Sequence, residues 1–374
     1  MRMPLNGWQM TKTSLACTAM TLSACAQAAG ADRTGQSIAP LFEKGRYLSV
    51  ETYAARPQVR GTDAWGQSTG QVASDHTQWG FAYKQNIAPQ TSMLLMVTRP
   101  FGVDIAYGRQ HSRLFGDTQA RISTYELMGA LRYQWNERWA MHGGLRLQRS
   151  EGYMALGGLA FGALNGYRVS FHPSIEPGYL LGMSYERPEM ALRIAGTYYS
   201  AIKHQVRTQE NLQAGAGTTT THSTSPQSFN LDVQTGMTPS TLLFGQIRWS
   251  DWAQLQLRPQ AFAAATHGSS LTDLQSSTTY TLGLGQKFGP QWSGFVALVY
   301  DKKSSKNPLS PLRPSNGRTG YTVGVSYQNA HIKVTPWVSY QRLGATDISS
   351  SGIPMAHFEP GTAKAAGLKL GYYF

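Results

Sequence analysis

The chain has almost no cysteine: of 374 residues only Cys17 and Cys25 are cysteines, both at the very start. The remainder can build neither a disulfide framework nor a thiolate metal site. Long apolar runs are missing as well. Outside the N-terminus nothing reaches the roughly 18 apolar residues that a spanning helix needs, and the best run, 153–164, is short and rich in glycine. A helical membrane protein is excluded. Charge is scarce at 14% of residues, and acid is scarcer than base, with 20 Asp and Glu against 33 Lys and Arg. The 9 histidines are scattered without a pair at helical or finger spacing, so no metal site is expected. Residues 66–70, Gly-Gln-Ser-Thr-Gly, match a bare nucleophile elbow, but they lie in a polar stretch without the strand before and helix after that an elbow needs. Gly283 and Gly285 open a GxGxxxG run inside a strand pattern, with the wrong spacing for a dinucleotide loop. No catalytic residue and no cofactor is expected, and the chain does not read as an enzyme.

What is abundant is glycine, at 39 residues, and aromatic side chains: 9 Trp, 19 Tyr and 13 Phe. Together with a mean hydropathy of -0.32 this suits a wall whose two faces meet different solvents. The end of the chain displays such a wall. Ala366, Leu368, Leu370, Tyr372 and Phe374 fall on one face, and Gly367, Lys369, Gly371 and Tyr373 on the other. The closing Phe374 resembles the terminal signature by which bacterial outer-membrane barrels are recognised by the barrel assembly machinery. A soluble sandwich strand is the alternative for this segment alone.

The rest of the chain decides for the barrel. Alternating segments recur fourteen times, joined by tight turn-forming connections and by long Ser, Thr, Gly and Pro-rich ones in alternation. Around Tyr125, Leu127, Leu131, Tyr133 and Trp135 one face is apolar, while Glu126, Arg132 and Gln134 share the other. Short turns on one side, long loops on the other and an even strand number are what a bacterial barrel requires. The fold class expected is all-β, a transmembrane outer-membrane barrel of about 14 antiparallel strands. Trp135, Trp139, Trp249, Trp292, Tyr327 and Tyr372 are expected in a girdle at the short-turn side.

Residues 1–29 read as an export signal, with Arg2 and Lys12 at its positive end, a weakly apolar middle and a small-x-small site at Ala26-Gln27-Ala28. Leu22-Ser23-Ala24-Cys25 also fits a lipoprotein box that would leave Cys25 acylated, and the two readings stand side by side. Removing the signal takes two basic and no acidic residues, leaving 31 against 20, a net +11. Anionic lipid headgroups, lipopolysaccharide included, or carboxylate solutes are the expected partners; no nucleic acid is, since the aromatics follow strand alternation.

Several segments also resemble one family. Residues 32–43, Asp-Arg-Thr-Gly-Gln-Ser-Ile-Ala-Pro-Leu-Phe-Glu, are followed by a first strand that ends near Arg56-Pro57-Gln58-Val59-Arg60-Gly61-Thr62. With Arg99-Pro100-Phe101-Gly102-Val103-Asp104 and the run 241–252, they resemble the FadL-type long-chain fatty-acid and aromatic-hydrocarbon outer-membrane transport family. The resemblance covers residues 31–374. It implies a fourteen-stranded barrel with an N-terminal hatch, ligand capture by outer loops, a pocket in the lumen, and sideways release through a gap made by a kinked third strand. Here the hatch, 30–46, is short, and the family's Asn-Pro-Ala turn is replaced by Gly35-Gln36-Ser37; Phe42 falls in the same segment. The barrel proper is expected to run over 47–374.

Three groups of residues are candidates for function. Pro100 and Gly102 interrupt the third strand, because proline cannot donate to a ladder; with Arg99, Phe101 and Asp104 they mark the lateral gate, unless the strand simply ends at Thr98. In the loop 151–165, Tyr153, Met154, Leu156, Leu159, Phe161 and Leu164 make a patch more apolar than a solvated loop carries, suited either to capturing hydrophobic ligands or to capping the barrel. Arg132, Arg146, Arg193 and Arg248, with Lys333 and Lys369, fall on lumen-facing registers, where each either clamps a ligand carboxylate or pairs with Glu51, Glu126 or Glu176. The function expected is a passive channel for hydrophobic small molecules. A general anion-preferring porin and an outer-membrane hydrolase are the alternatives.

Overall fold

A computed structural model describes residues 32–212, 217–303, 310–350 and 353–374. Residues 1–29, expected to be an export signal, and both cysteines lie outside the described residues. The alternation of small or polar with apolar residues folds into strands that bury one face and expose the other. The first six barrel strands are β1 (Tyr47–Gln58), β2 (His76–Ala88), β3 (Thr91–Thr98 and Gly102–Ala106), β4 (Gln119–Gln134), β5 (Trp139–Leu156) and β6 (Tyr167–Arg187). Next come β7 (Leu192–Tyr199 and Ile202–Glu210), β8 (Thr218–Ser225 and Ser228–Thr238), β9 (Thr241–Ser250) and β10 (Ser277–Lys287). The last four are β11 (Trp292–Asp301), β12 (Arg318–Gln328), β13 (Ile332–Leu343) and β14 (Gly361–Tyr373). Each pairs antiparallel with its neighbours, and β14 pairs with β1 from Tyr47↔Tyr373 to Gln58↔Thr362, so the sheet closes on itself. Closure leaves no sheet edge, which is the condition for crossing lipid with strands.

The outward side chains are apolar and uncovered: Leu145 is 73% exposed, Leu298 59% and Val338 53%. So much bare hydrocarbon is stable against lipid and costly against water, at roughly 25 cal/mol per Å². Aromatic pairs bound this band at both ends. On the short-turn side Trp135 stacks on Trp139, Trp292 lies against Tyr327 and Tyr372 against Phe374. On the long-loop side Trp79 meets Tyr125, Tyr179 meets Tyr198, Tyr280 stacks on Tyr300 and Tyr321 lies on Tyr340. Trp249 belongs to this second belt and not to the first. It sits beside Phe229 at the far end of β9, because the tight turn precedes that strand and the long loop follows it. Between Trp292 and Tyr300 runs about 26 Å of strand at ~3.3 Å per residue, which a tilt of ~40° reduces to roughly 20 Å, close to the apolar band of such barrels.

Two other expectations shift. The alternating pattern of the ninth strand runs over about 240–260, but the chain leaves the wall at Ser250 and continues as a helical turn and the short helix Gln260–Ala265. Conversely β5 runs on to Leu156, and the expected outer loop begins only there. A register shift between Ser150 and Gly152 in the β5–β6 ladder hides this continuation from the alternation. Above the barrel a small sheet of Gly61–Asp63, Thr346–Ser350 and Ile353–Phe358 packs with Phe115, Tyr107 and Leu343 into an apolar cap. Tyr107 donates to the Pro311 carbonyl at 2.6 Å, and burial pushes its hydroxyl well above the usual phenol range, so it remains a donor.

Candidate functional site

The wall is interrupted where proline removes a donor. β3 pairs with β2 only as far as Phe81↔Val97, and with β4 as far as Thr98↔Glu126, resuming at Gly102↔Ser123 with one extra residue. Over His76–Gly80 β2 still pairs with β1 but has no ladder partner on its β3 side. Above the interruption, Ala73 bridges to Ile105 and the Ser74 amide donates to the Asp104 carbonyl, closing the wall again. The result is a slot of about five residues, roughly 16 Å of strand at 3.3 Å per residue. It is framed by β2 and by residues 99–103.

Each residue at the slot has a distinct place. Phe101 turns inward, 4% exposed, edge-on against Trp252 at 5.1 Å between ring centres. Arg99 stays outside, over the Tyr125 ring at 5.0 Å, and its guanidinium reaches the Thr77 carbonyl and the Ser123 hydroxyl across the slot. Asp104 lies 3.5 Å from Arg121 on the outer surface. Gly102 is required by its neighbour: a Cβ there would stand 2.5 Å from Nε of Arg33, whose Nε donates to the Gly102 carbonyl. The Pro100 carbonyl accepts the Arg33 amide at 2.8 Å. Residues 32–33 therefore cover the slot from within.

Residues 32–46 pass through the ring and are held on its far side. Gly35 and Gln36 take left-handed backbone angles, φ of 62° and 48°, with the Gly35 amide donating to Asp32 Oδ1 at 3.0 Å. A non-glycine residue there is strained. The surroundings hold it: Tyr199 donates to the Gln36 carbonyl, Asn230 to the Gly35 carbonyl at 2.9 Å, and Ser228 and Arg248 both to Gln36 Oε1 at 2.9 Å. Arg248 also bonds Asp32 at 2.6 Å and Asn230 at 2.7 Å, with its side chain 5% exposed. Ser37 precedes a helical turn, Ala39–Phe42, which sets Ile38, Leu41 and Phe42 against Leu94, Met128 and Leu180.

The lumen cations expected to clamp a ligand are engaged within the protein and spread over the wall. Arg146 pairs with Glu126 at 2.7 Å, fully buried, and also donates to the Ser200 carbonyl. Arg132 pairs with Glu186 at 2.5 Å, and Arg193 donates to Gln234; both guanidinium groups lie over the Phe42 ring. Arg248 grips residues 32–36 as described. Glu51 and Lys369 are opposite each other in the β1–β14 ladder.

The apolar group of the fifth strand and its loop divides. Met154 and Leu156 are buried inside the upper barrel with Tyr167, Phe171 and Phe262; Phe161 and Leu164 pack at the rim of that cluster. Leu159 is exposed, and Tyr153 pairs with Arg121 in the ladder, on the outward register. Val103 of β3 touches this cluster, the outer cap and the Phe101–Trp252 pair alike. An unbroken apolar track thus runs from Phe161 through Val103 to the slot. Behind the slot is a cavity of about 60 Å³, bordered by Ser37 and Pro40, by Met96 and Met128, and by Trp79 and Phe81. Trp79 and Phe81 point outward, so the cavity reaches the lipid face of the wall.

Sequence reading located Pro100 and Gly102 but missed Arg33, Trp252 and Tyr199, whose roles arise from contacts between distant segments. Pro173 and Pro177 went unnoticed as well. The β6–β7 ladder is formed at both ends and lacks pairs over 172–178, where these prolines sit. Such a signal was readable, since two prolines in one strand pattern mark a weakened ladder.

No family model matches the sequence, and no curated protein does. Solved structures do match in shape. A Pseudomonas aeruginosa FadL homologue superposes with a TM-score of 0.72 at 14% identity, over 90% of this chain and 92% of that one. The toluene transporter TodX of P. putida gives 0.66 at 12%, over 93% and 99%, and the Ralstonia pickettii toluene transporter TbuX 0.60 at 11%, over 92% and 95%. The chain has the fourteen-stranded fold of these FadL-type outer-membrane barrels.

Proposed function

We propose that the protein is a passive outer-membrane channel for hydrophobic small molecules, long-chain fatty acids or aromatic hydrocarbons, that captures ligand at its outer loops and releases it sideways between β2 and β3. The observation that carries this reading is the cavity behind the slot, lined at once by lumen and by lipid-facing side chains. Ligand enters among Met154, Leu156, Phe161 and Leu164, passes Val103 and Phe101, and leaves past Trp79. Residues 33–37 have to shift for it to do so. Transfer of alkyl surface into lipid supplies the drive, at about 0.8 kcal/mol per methylene, with no energy input. The candidate ligands share apolar bulk and differ in the carboxylate; Arg193, which lines a lumen cavity with Phe42, is the cation placed to meet one, in exchange for its bond to Gln234. The toluene transporters among the similar folds support hydrocarbon as a cargo class, and the resemblance of residues 32–43 and 99–104 to the fatty-acid transport family supports the alternative.

Phe161→Asp is expected to weaken binding of a fluorescent fatty acid at least tenfold while the barrel keeps its heat-modifiable mobility, because Phe161 lies at the rim of its cluster. Met154→Asp, at 1% exposure, is expected also to destabilise the folded barrel by several kcal/mol, the cost of burying an unpaired polar group. Unchanged affinity in Phe161→Asp would reduce the loop to packing. Phe374, with its amide on the Arg46 carbonyl and its ring under the Arg46 guanidinium, ends the closing strand at the short-turn belt. Deleting it is expected to lower the amount of protein assembled in cells several-fold and leave refolding in detergent intact; equal loss in both settings would separate the residue from any assembly receptor.

A further inference from the structure

Across β13, β14 and β1 the ladder sets like charges side by side on the lipid-facing register. Arg56 is directly opposite Lys364, Lys364 is opposite Tyr340 on its other flank, and Arg342 follows two residues beyond Tyr340. All three cations are exposed. Like charges facing each other across strands oppose pairing. Only Arg56 has an acidic neighbour, Asp75 at 3.6 Å, both side chains largely in solvent. Lys364 and Arg342 have no ion-pair partner among the described residues. Tyr340 lies against Tyr321 in the long-loop belt, so the cations stand at the level where the bilayer's polar surface begins.

Immediately below them, toward the membrane, the outward residues shrink: Ala54 faces Ala366, and Ala366 faces Val338, before Leu368 restores bulk. A cluster of positive charge above a shallow apolar strip has the outline of an acidic lipid, headgroup over chain. A soluble anion would need no strip, and a solvated patch would need no repulsion.

We propose that β13, β14 and β1 form a binding site for the phosphorylated glycolipid of the outer leaflet, a phosphate resting on Arg56, Lys364 and Arg342 and an acyl chain lying along Ala54 and Ala366. The lipid supplies the counter-charge that the ladder lacks. The site lies one strand from the slot, Ala54 facing Thr77 of β2, but uses none of the residues of the ligand route, and the proposal stands whatever hydrophobic cargo the channel takes.

The test uses the whole protein in detergent, stripped of lipid and then offered purified lipopolysaccharide, with bound glycolipid counted by native mass spectrometry. Lys364→Glu with Arg342→Glu is expected to weaken retention at least tenfold, and dephosphorylated glycolipid is expected to bind the unaltered protein as weakly. A control pair, Lys203→Glu with Arg207→Glu, reverses two other exposed cations spaced four residues apart on β7 and is expected to retain glycolipid normally. In glycolipid-free detergent Lys364→Glu alone is expected to raise the unfolding midpoint, since it turns a repulsive pair with Arg56 into an attractive one. Normal retention by the first double variant, or an equal loss in the control, overturns the proposal, as does a protein whose midpoint falls with Lys364→Glu whether or not glycolipid is present.

Discussion

Blocking residue 80 with a bulky thiol reagent in a Gly80→Cys protein is expected to cut uptake of a long-chain fatty acid or of toluene at least tenfold, and reduction is expected to restore it. A Cβ at Gly80 would meet only the Thr98 methyl at 3.7 Å and the Val97 carbonyl at 3.9 Å, so the cysteine itself fits without displacement. It lies on β2 beside the slot and borders the cavity behind it. The described residues contain no cysteine, so the reagent has one target there. Substituting Gly102 would be a poorer test. Any side chain there collides with Arg33 and moves the inner cover as well as the wall. Uptake by liposomes carrying the modified protein is the measurement, with heat-modifiable mobility as proof of folding. Full uptake after complete modification would remove the slot from the route.

The second large effect is expected from Arg248→Ala. The unaltered protein should conduct few ions in a planar bilayer, because residues 32–46 fill the ring. Arg248 holds them through Asp32 and Gln36 with a nearly buried guanidinium, and breaking a buried charge pair on one side costs about 3–5 kcal/mol. Asp32 would be left with a largely buried carboxylate without its cation, and the strained Gln36 turn would lose one of its partners. Large, long-lived conductance steps are the expected result, with entry of hydrophilic solutes into liposomes. Arg248→Lys is expected to fall between, since a point charge reaches Asp32 but not Gln36 and Asn230 at once. Equally large conductance in the unaltered protein would favour a general porin, and an unchanged low conductance in Arg248→Ala would show that the packing of Ile38 and Leu41 suffices to hold the segment.

Much of the wall was legible because a strand between two solvents repeats every two residues, and nothing in the chain competes with that period. Fourteen strands, the tight and long connections, and the break at Pro100 could all be read locally. Trp249 was placed at the wrong belt because a tryptophan near a strand end looks alike at either end; only the direction of the chain through the wall separates them. The register shift at Ser150 and Gly152 concealed that β5 continues through Met154 and Leu156. The lumen cations were identified as inward, and Glu126 as a partner for one of them, Arg146, was foreseen; the grip of Arg248 and Tyr199 on residues 32–36 was not, since Asp32 and Arg248 are 216 residues apart, and Gln36 and Tyr199 are 163 apart.

The amino-acid order alone settled that the chain forms a closed, two-faced ring of strands, since periodicity, turn chemistry and proline act over a few neighbouring residues. It also set one place where the ring is interrupted, at the proline of β3. The tertiary structure decided what covers that weakness, which cations are already occupied and which like charges are left facing one another. Those outcomes depend on which strands closure brings side by side and on where residues 32–46 come to rest, and no local pattern carries that information.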